Sequence, residues 1–312
     1  MRVATHDLYG GDAGGGGRMI ALLGATGQVG GHVAAGLAAA GAQAQALVRR
    51  PADAALPIPA VHADLADPPS VRAALEGARR LFLLTPHGPD QDLLEAVAID
   101  AAAAAGVEHV VKVSGGAASL GPNGITATAI AHWHGEQRIE RAGLGFTFLR
   151  PSFYQQNLLG PLTDAVARTG LLLTPLGRTP IAMVDVRDVA ACAVAALVDP
   201  APVDQVWQPT GPRGVTLDDV AAHLGVRHVP VPPRAAGRAL ARQGATGDAV
   251  QHAVRMAMYF RAGSDGNPTD HVLRLTGRAP RPVEALLDEH RARFAPATGL
   301  ARALSRTPTP KD

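Results

Sequence analysis

Lysine is nearly missing from this chain of 312 residues: among 29 basic residues, only Lys112 and Lys311 are lysines. With 27 acidic residues the formal net charge is +2, and the arginines are scattered rather than massed on one helix. A nucleic-acid surface needs a concentrated basic footprint, so direct binding of nucleic acid is excluded. Cysteine is reduced to Cys192, which rules out an internal disulfide. Set in the apolar run AACAVAAL, it reads as a small core residue rather than a redox thiol. No uncharged stretch is long enough to span a bilayer and no signal-peptide pattern is present, so no membrane partner is expected and the expected compartment is the cytoplasm. Two more chemistries lack their motifs. The 12 histidines include no H-E-x-x-H, and His132 and His134 stand two apart on an expected helix, facing different ways, so no metal site is expected. Ser114 lacks the G-x-S-x-G elbow of a serine hydrolase.

What is present is a globular composition, 47% hydrophobic and 18% charged, long enough for a substantial core. Its organising stretch is MIALLGATGQVGG, Met19 to Gly31. Met19 to Leu23 reads as a buried strand and Gln28 to Ala40 as a helix ended by Gly41. The glycines between them, Gly24-x-x-Gly27-x-x-Gly30, make a turn whose N–H groups and helix dipole suit a pyrophosphate. A second strand, Gln43 to Val48, ends in Arg49-Arg50, where dinucleotide folds meet the adenosine ribose. Two guanidinium groups at that place favour a 2′-phosphate, hence NADP(H) over NAD(H), the plainer alternative being a solvated pair at a strand end.

Further strands are expected at Ala60 to His62, Arg79 to Leu84, Glu108 to Ser114 and Gly145 to Arg150. Helices are expected at Pro68 to Gly77, capped by Asp67, at Asp90 to Ala105 and at Ile125 to Ala142. This alternation specifies a Rossmann-type α/β fold, a doubly wound parallel sheet with right-handed crossovers. Asp64 follows a strand end, where it either accepts from the adenine amino group or serves as a turn residue. Thr85, Pro86 and His87 close the fourth strand and should lie along the cofactor. The second half is less regular. Ser152 to Gly160 reads as a polar-aromatic loop, Leu171 to Thr179 as turns, and Ala182 to Asp188 as a strand into a helix, Val189 to Val198, capped by Asp188. Gln205 to Thr210 and His228 to Val231 read as strands, Thr216 and Asp219 as a capping arrangement for Leu217 to Leu224, and Ala235 to Phe260 as mostly helical. These pieces suggest a smaller α/β lid. The expected organisation is a flexible Gly-rich lead (1–18, with Met19 as an alternative start), a nucleotide domain (19–152 with 181–210), a substrate domain (153–180 with 211–295) and a flexible tail (296–312).

The combination GATGxxG, VRRP, Asp64-Leu65, LLTP, VKVS and GLxxTxLRP resembles the NmrA-like, atypical short-chain dehydrogenase/reductase family, close to its NAD(P)H-quinone oxidoreductase members. VDVRDVA at Val184 to Ala190 and the stretch Thr276 to His290 look like that family's closing segments, so the resemblance runs from about Met19 to Phe294. It implies that Gly24, Thr26, Gly27, Gln28, Val29 and Gly30 hold the pyrophosphate, and Arg49 with Arg50 the 2′-phosphate. Asp64 and Leu65 would flank the adenine, Thr85, Pro86 and His87 the nicotinamide ribose with Ser114 nearby, and Pro151, Ser152 and Phe153 the ring.

One departure limits the analogy. Ordinary short-chain dehydrogenases carry Tyr-x-x-x-Lys on the long helix. The tyrosines here are Tyr9, Tyr154 and Tyr259, none followed by lysine at that spacing. Counting back from GLGFTFLRP puts Thr128 where the Tyr would be and His132 where the Lys would be. Related isoflavone-reductase-like enzymes keep a Lys there, so His132 could bind the ribose or deliver a proton with an ordinary pKa of about 6.5, oriented by Glu136 one turn on. Alternatively both residues only fix the helix. Tyr154 is the second candidate acid, or a pocket wall with Asn157. Tyr154, Trp207, Tyr259 and Phe260, beside Phe153, suggest an apolar pocket for a small apolar or aromatic substrate.

The leading expectation is an NADPH-dependent oxidoreductase reducing a small electron-poor acceptor, a quinone or an activated carbonyl or enone. The alternatives are an NADP(H) sensor without turnover and an isomerase, dehydratase or cyclase on the same fold. A homodimer is left open.

Overall fold

The computed structural model describes residues 19–198 and 204–295. The expected flexible lead, with Tyr9, and the tail, with Lys311, lie outside the described residues. The first half runs β1 (Met19–Leu23), α1 (Gln28–Ala39), β2 (Ala44–Val48), β3 (Ala60–His62), α2 (Pro68–Ala74), β4 (Ala78–Leu83), α3 (Gln91–Ala104), β5 (His109–Val113), α4 (Ala127–Arg141) and β6 (Gly145–Leu149). The second half adds α5 (Pro161–Thr169), β7 (Leu171–Thr174), α6 (Val186–Val198), β8 (Gln205–Trp207), α7 (Leu217–Leu224), β9 (Arg227–Pro230), α8 (Pro233–Arg242), α9 (Gly247–Arg261), α10 (His271–Thr276) and α11 (Val283–Glu289).

Seven strands form one sheet in the order β3-β2-β1-β4-β5-β6-β8, with every neighbouring pair parallel. The order reverses between β1 and β4, and the carboxyl edge at such a switch is where open α/β sheets bind ligands. Successive residues of β1 feed opposite cores. Ile20 and Leu22 pack with α1 and α6, while Ala21 and Leu23 pack with residues of α2, α3 and α4. Glycine permits a close contact of α1 with α6, since a methyl at Gly36 would stand 2.8 Å from Val194.

A third core joins α5, α7, α9 and α11 to a separate two-stranded parallel sheet, β7-β9. Thr216 and Asp219 form a reciprocal capping box at the start of α7. Several expected elements differ. The expected strand Ala182–Asp188 is instead a linker that passes into α6 at Val186, flanked by two isolated bridges, Tyr154 to Val184 and Ile181 to Val215. Asp188 lies inside the first turn of α6, where it accepts from the Arg281 N–H at 2.6 Å instead of capping. Asp67 occupies the N-cap of α2 without a side-chain bond. The turn-rich segment from Leu171 opens with β7, whose pairing partner is 56 residues away and invisible to local pattern, and the Ala235–Phe260 stretch divides into α8 and α9.

Candidate active site

Two clefts meet at the carboxyl edge of the sheet. The first, about 540 Å³, is lined by Gly24 and Thr26 of the β1–α1 turn, Arg49 and Arg50 after β2, Asp64 and Leu65 after β3, and Leu84 and Pro86 after β4. Two positions of its glycine turn tolerate no side chain. Gly24 adopts φ +94°, and an added methyl would lie 2.2 Å from the Leu84 carbonyl oxygen. At Gly30 it would lie 2.0 Å from the Gly24 carbonyl oxygen. Gly27, at the N-cap of α1, has no capping side chain, so the first-turn N–H groups, those of Gln28, Val29 and Gly30, meet no side-chain acceptor there. This is a cradle for an anion at a helix N-terminus. Arg49 and Arg50 are exposed at its rim, Arg50 in a 3.3 Å pair with Asp53. The Asp64 carboxylate accepts from the Ala66 N–H at 3.0 Å, a turn bond made while it lines the cleft.

The second cleft, about 240 Å³, shares Leu84 with the first. Its walls are His87, Ser114, His132, Pro151, Ser152, Phe153, Tyr154 and Asn157 from the sheet side, with His252, Met256, Tyr259, Phe260 and Asp265 closing over them. Phe153 and Phe260 meet edge to face at 5.1 Å. The Ser152 hydroxyl donates to Asp265 at 2.5 Å; burial raises the Asp265 carboxyl above its usual range, which Ser152 and the Phe153 N–H oppose. Among the described residues, the buried hydroxyls of Ser114 and Tyr259 have no hydrogen-bond partner. Burial, then the nearby Asp265, raises the Tyr259 phenol, and burial raises that of Tyr154, so neither is a ready proton donor at neutral pH.

Beneath this pocket lies a charged cluster without solvent contact. Lys112, in the middle of β5, is fully buried on the face covered by α3 and α4. Its ammonium donates to Glu95 Oε1 at 2.7 Å and to His132 Nδ1 at 3.1 Å. The same carboxylate oxygen accepts from Thr85 at 3.1 Å and from Gln91 at 3.2 Å. Burial alone would raise the Glu95 carboxyl, but Lys112 and His132 hold it at about 2. His132 is pushed down to about 4 by burial and by the Lys112 charge, against the pull of Glu95. Gly135 makes the room: a methyl there would stand 2.0 Å from Glu95 Oε2.

Comparison with known proteins agrees with this geometry. Residues 24–200 match the NAD(P)H-binding family. The NAD(P)H azoreductase of Xenophilus azovorans is 35% identical over 300 residues, which cover 89% of this chain and all of the relative. The chain belongs to the NAD(P)H-binding family. The NADPH-dependent quinone oxidoreductase of Escherichia coli, solved with NADPH, superposes with TM-score 0.80 at 25% identity, covering 87% of this chain and 99% of that one. The negative transcriptional regulator Nmra shares the fold alone, with TM-score 0.67 at 18% identity over 88% and 94% of the two chains. With such relatives, this member of the family is an NAD(P)H-dependent oxidoreductase.

Within this family member, several residues expected at the site stand differently. Glu136 does not orient His132: one turn along α4, it is buried and pairs with Arg150 after β6, while the His132 ring meets Lys112 and Glu95. His132, with its pKa near 4, is not the acid titrating at neutrality that an ordinary imidazole would be. The Thr85 side chain turns inward to Glu95, and Val29 points into the core, so neither side chain lines a cleft. Trp207 lies outside the pocket on the edge strand β8, edge to face with His271 and with Arg274 4.9 Å above its ring. Sequence reasoning missed Gln91, Glu95, Lys112, His252, Met256 and Asp265. A signal existed for two of them: a lysine inside the apolar run HVVKV, and a glutamate on the face of α3 that also carries Ala98 and Ala102. Among the described residues no helix is long and apolar enough to cross a membrane, and no group of three or more His, Cys, Asp or Glu could hold a metal ion.

Proposed function

We propose that the first cleft binds NADPH in preference to NADH and that the second holds a small electron-poor acceptor, a quinone, an azo compound or an activated carbonyl or enone, in a cytoplasmic enzyme. The observation that carries this reading is the shared wall at Leu84, where a glycine cradle and an aromatic-lined pocket adjoin at the switch point of the sheet. Gly24, Thr26, Gly27 and Gly30 with the α1 N-terminus fit a pyrophosphate, because the first-turn N–H groups meet no side-chain acceptor and glycine at 24 and 30 lets the turn close against the Leu84 and Gly24 carbonyls. Arg49 and Arg50 fit a 2′-phosphate, as donors to a dianion. The reduced nicotinamide, when bound, supplies the hydride.

The remaining tasks belong to the chain. Pro151, Ser152 and Phe153, at the end of β6, border the pocket where the ring would meet the acceptor, and Phe153, Tyr259 and Phe260 exclude water and offer aromatic faces to a conjugated ring. In this division of labour residues 19–152 with 181–210 serve the nucleotide, and 153–180 with 211–295 serve the acceptor. The azo and quinone names of the relatives set the acceptors to try first.

The test is oxidation of NADPH and NADH by the purified chain with quinones, azo dyes, enones and aldehydes. Faster turnover with NADPH is expected, and Arg49→Ala should raise the KM for NADPH about tenfold while leaving that for NADH unchanged. Binding of NADPH with no turnover across the whole panel overturns the reductase reading.

A further inference from the structure

The buried charges under the pocket need an explanation that the fold alone does not give. A fully buried Lys–Glu pair seldom stabilises a protein more than apolar side chains of the same size would. Here Lys112, Glu95, Thr85 and Gln91 all converge on one place, and the imidazole that borders both the cluster and the pocket is His132. We propose that Lys112 is a positioning residue that fixes His132 as the uncharged tautomer with its proton on Nε2, presenting a hydrogen-bond donor to the acceptor in the pocket. The role in reduction rests on the function proposed above.

The geometry distinguishes the two ring nitrogens. Nδ1 faces inward, with Lys112 Nζ at 3.1 Å and Glu95 Oε1 at 3.3 Å. An ammonium can only donate, so it occupies the Nδ1 lone pair and leaves the ring proton on Nε2. Glu95 Oε1 is farther from the ring and already accepts from Lys112, Thr85 and Gln91. Gln91 Nε2 stands 3.2 Å from both ring nitrogens, so this contact does not choose between them. The Cδ2 edge, which carries Nε2, is turned toward Gly115 on the pocket wall: a methyl at Gly115 would lie 3.5 Å from Cδ2. A donor there meets the acceptor oxygen or nitrogen on which negative charge collects when a hydride arrives, and it does so without having to ionise.

Charges around the ring come from three elements: Lys112 from β5, Glu95 from α3, and His87 from the β4–α3 loop, itself 6.3 Å from His252 of α9. Lys112 and His87 disfavour the imidazolium, and Glu95 favours it. Removing the Lys112 charge therefore lets His132 ionise at higher pH.

The experiment is nitrogen NMR of the histidine-labelled, cofactor-free chain, with the His132 signals assigned by their loss in H132Q. The expected spectrum shows a bare Nδ1 and a protonated Nε2, unchanged on lowering the pH to about 5, as the depressed ionisation requires. In K112M, and in K112M/E95Q, which removes both buried charges together, the tautomer should become mixed. In the single variant the ring should also titrate nearer its ordinary range. With an acceptor, kcat of K112M/E95Q should fall about 10-fold or more with KM for NADPH unchanged. A proton on Nδ1 in the unsubstituted chain, or a tautomer indifferent to Lys112, overturns the proposal whatever the turnover. The expected tautomer in a chain that reduces no acceptor overturns the reductase reading instead.

Discussion

The glycine turn of the first cleft is built from backbone, whereas the pocket beside it rests on paired side chains drawn from α3, α4, β5 and the C-terminal third of the chain. Each construction fails differently. A backbone cradle is lost when anything is added to it, as at Gly24 and Gly30, where a Cβ would meet carbonyl oxygens at 2.2 and 2.0 Å. A side-chain cluster is lost when anything is taken from it, because each buried charge depends on the others.

The largest expected effect lies on the side-chain side. Glu95→Gln leaves the Lys112 ammonium buried without a carboxylate, which should cost about 3–5 kcal/mol of unfolding free energy in urea. Pairing it with Lys112→Met should recover much of that loss, since a buried pair removed together leaves no stranded charge. Losses that simply add would show that the two residues are not coupled, and the contrast between the clefts would break.

On the backbone side, Gly30→Ala should weaken NADPH binding by about 3 kcal/mol, roughly 100-fold, because the helix must shift away from the Gly24 carbonyl. Gly27→Ala, whose methyl would stand 3.4 Å from the same oxygen, should cost far less. Equal affinities for the two variants in a fluorescence titration would mean that the cradle is not where the dinucleotide sits.

Acid separates the two regions without mutation. His132 ionises at about 4 in the folded chain and near 6.5 when unfolded, so the unfolded state takes up the proton first as pH falls. Its contribution to stability is present above pH 6.5, shrinks as pH falls, and is gone below pH 4; by linkage it amounts to about 3 kcal/mol. Unfolding curves at pH 7 and pH 4 should differ less in His132→Gln by that amount. His87 and His252, also held low by burial, add to the slope in both proteins and cancel in the comparison.

The same contrast explains what could be read from the chain before its fold was known. The cradle depends on residues within one turn of one another, so Gly24, Gly27 and Gly30 announced it, and the arginines after β2 stood where the alternation of strands and helices placed them. Lys112 and Glu95 are 17 residues apart and His132 is 20 further on, and only the parallel pairing of β4 with β5 and the packing of α3 on α4 bring them together. Glu136 looked like the partner of His132 because a helix turn was the only distance the sequence displayed. Asp265 and His252 enter the pocket from a region whose one regular sheet, β7-β9, pairs segments with no local signature.

The smallest expected effect tests where the pocket ends. Trp207 and Tyr259 both looked like pocket aromatics, but Trp207 packs between His271 and Arg274 on the sheet edge, and Tyr259 closes over the pocket with a buried, unpartnered hydroxyl. Trp207→Leu should therefore cost about 1 kcal/mol of stability through the lost cation–π contact and leave the KM for every acceptor unchanged. Tyr259→Phe keeps the ring and removes only the unpaired hydroxyl, so it should leave stability near its starting value while shifting acceptor KM a few-fold, in the direction set by whether the acceptor had bonded that hydroxyl. An acceptor KM that answers to Trp207 and ignores Tyr259 would move the substrate away from the Leu84 wall, and with it the claim that the two clefts work as one site.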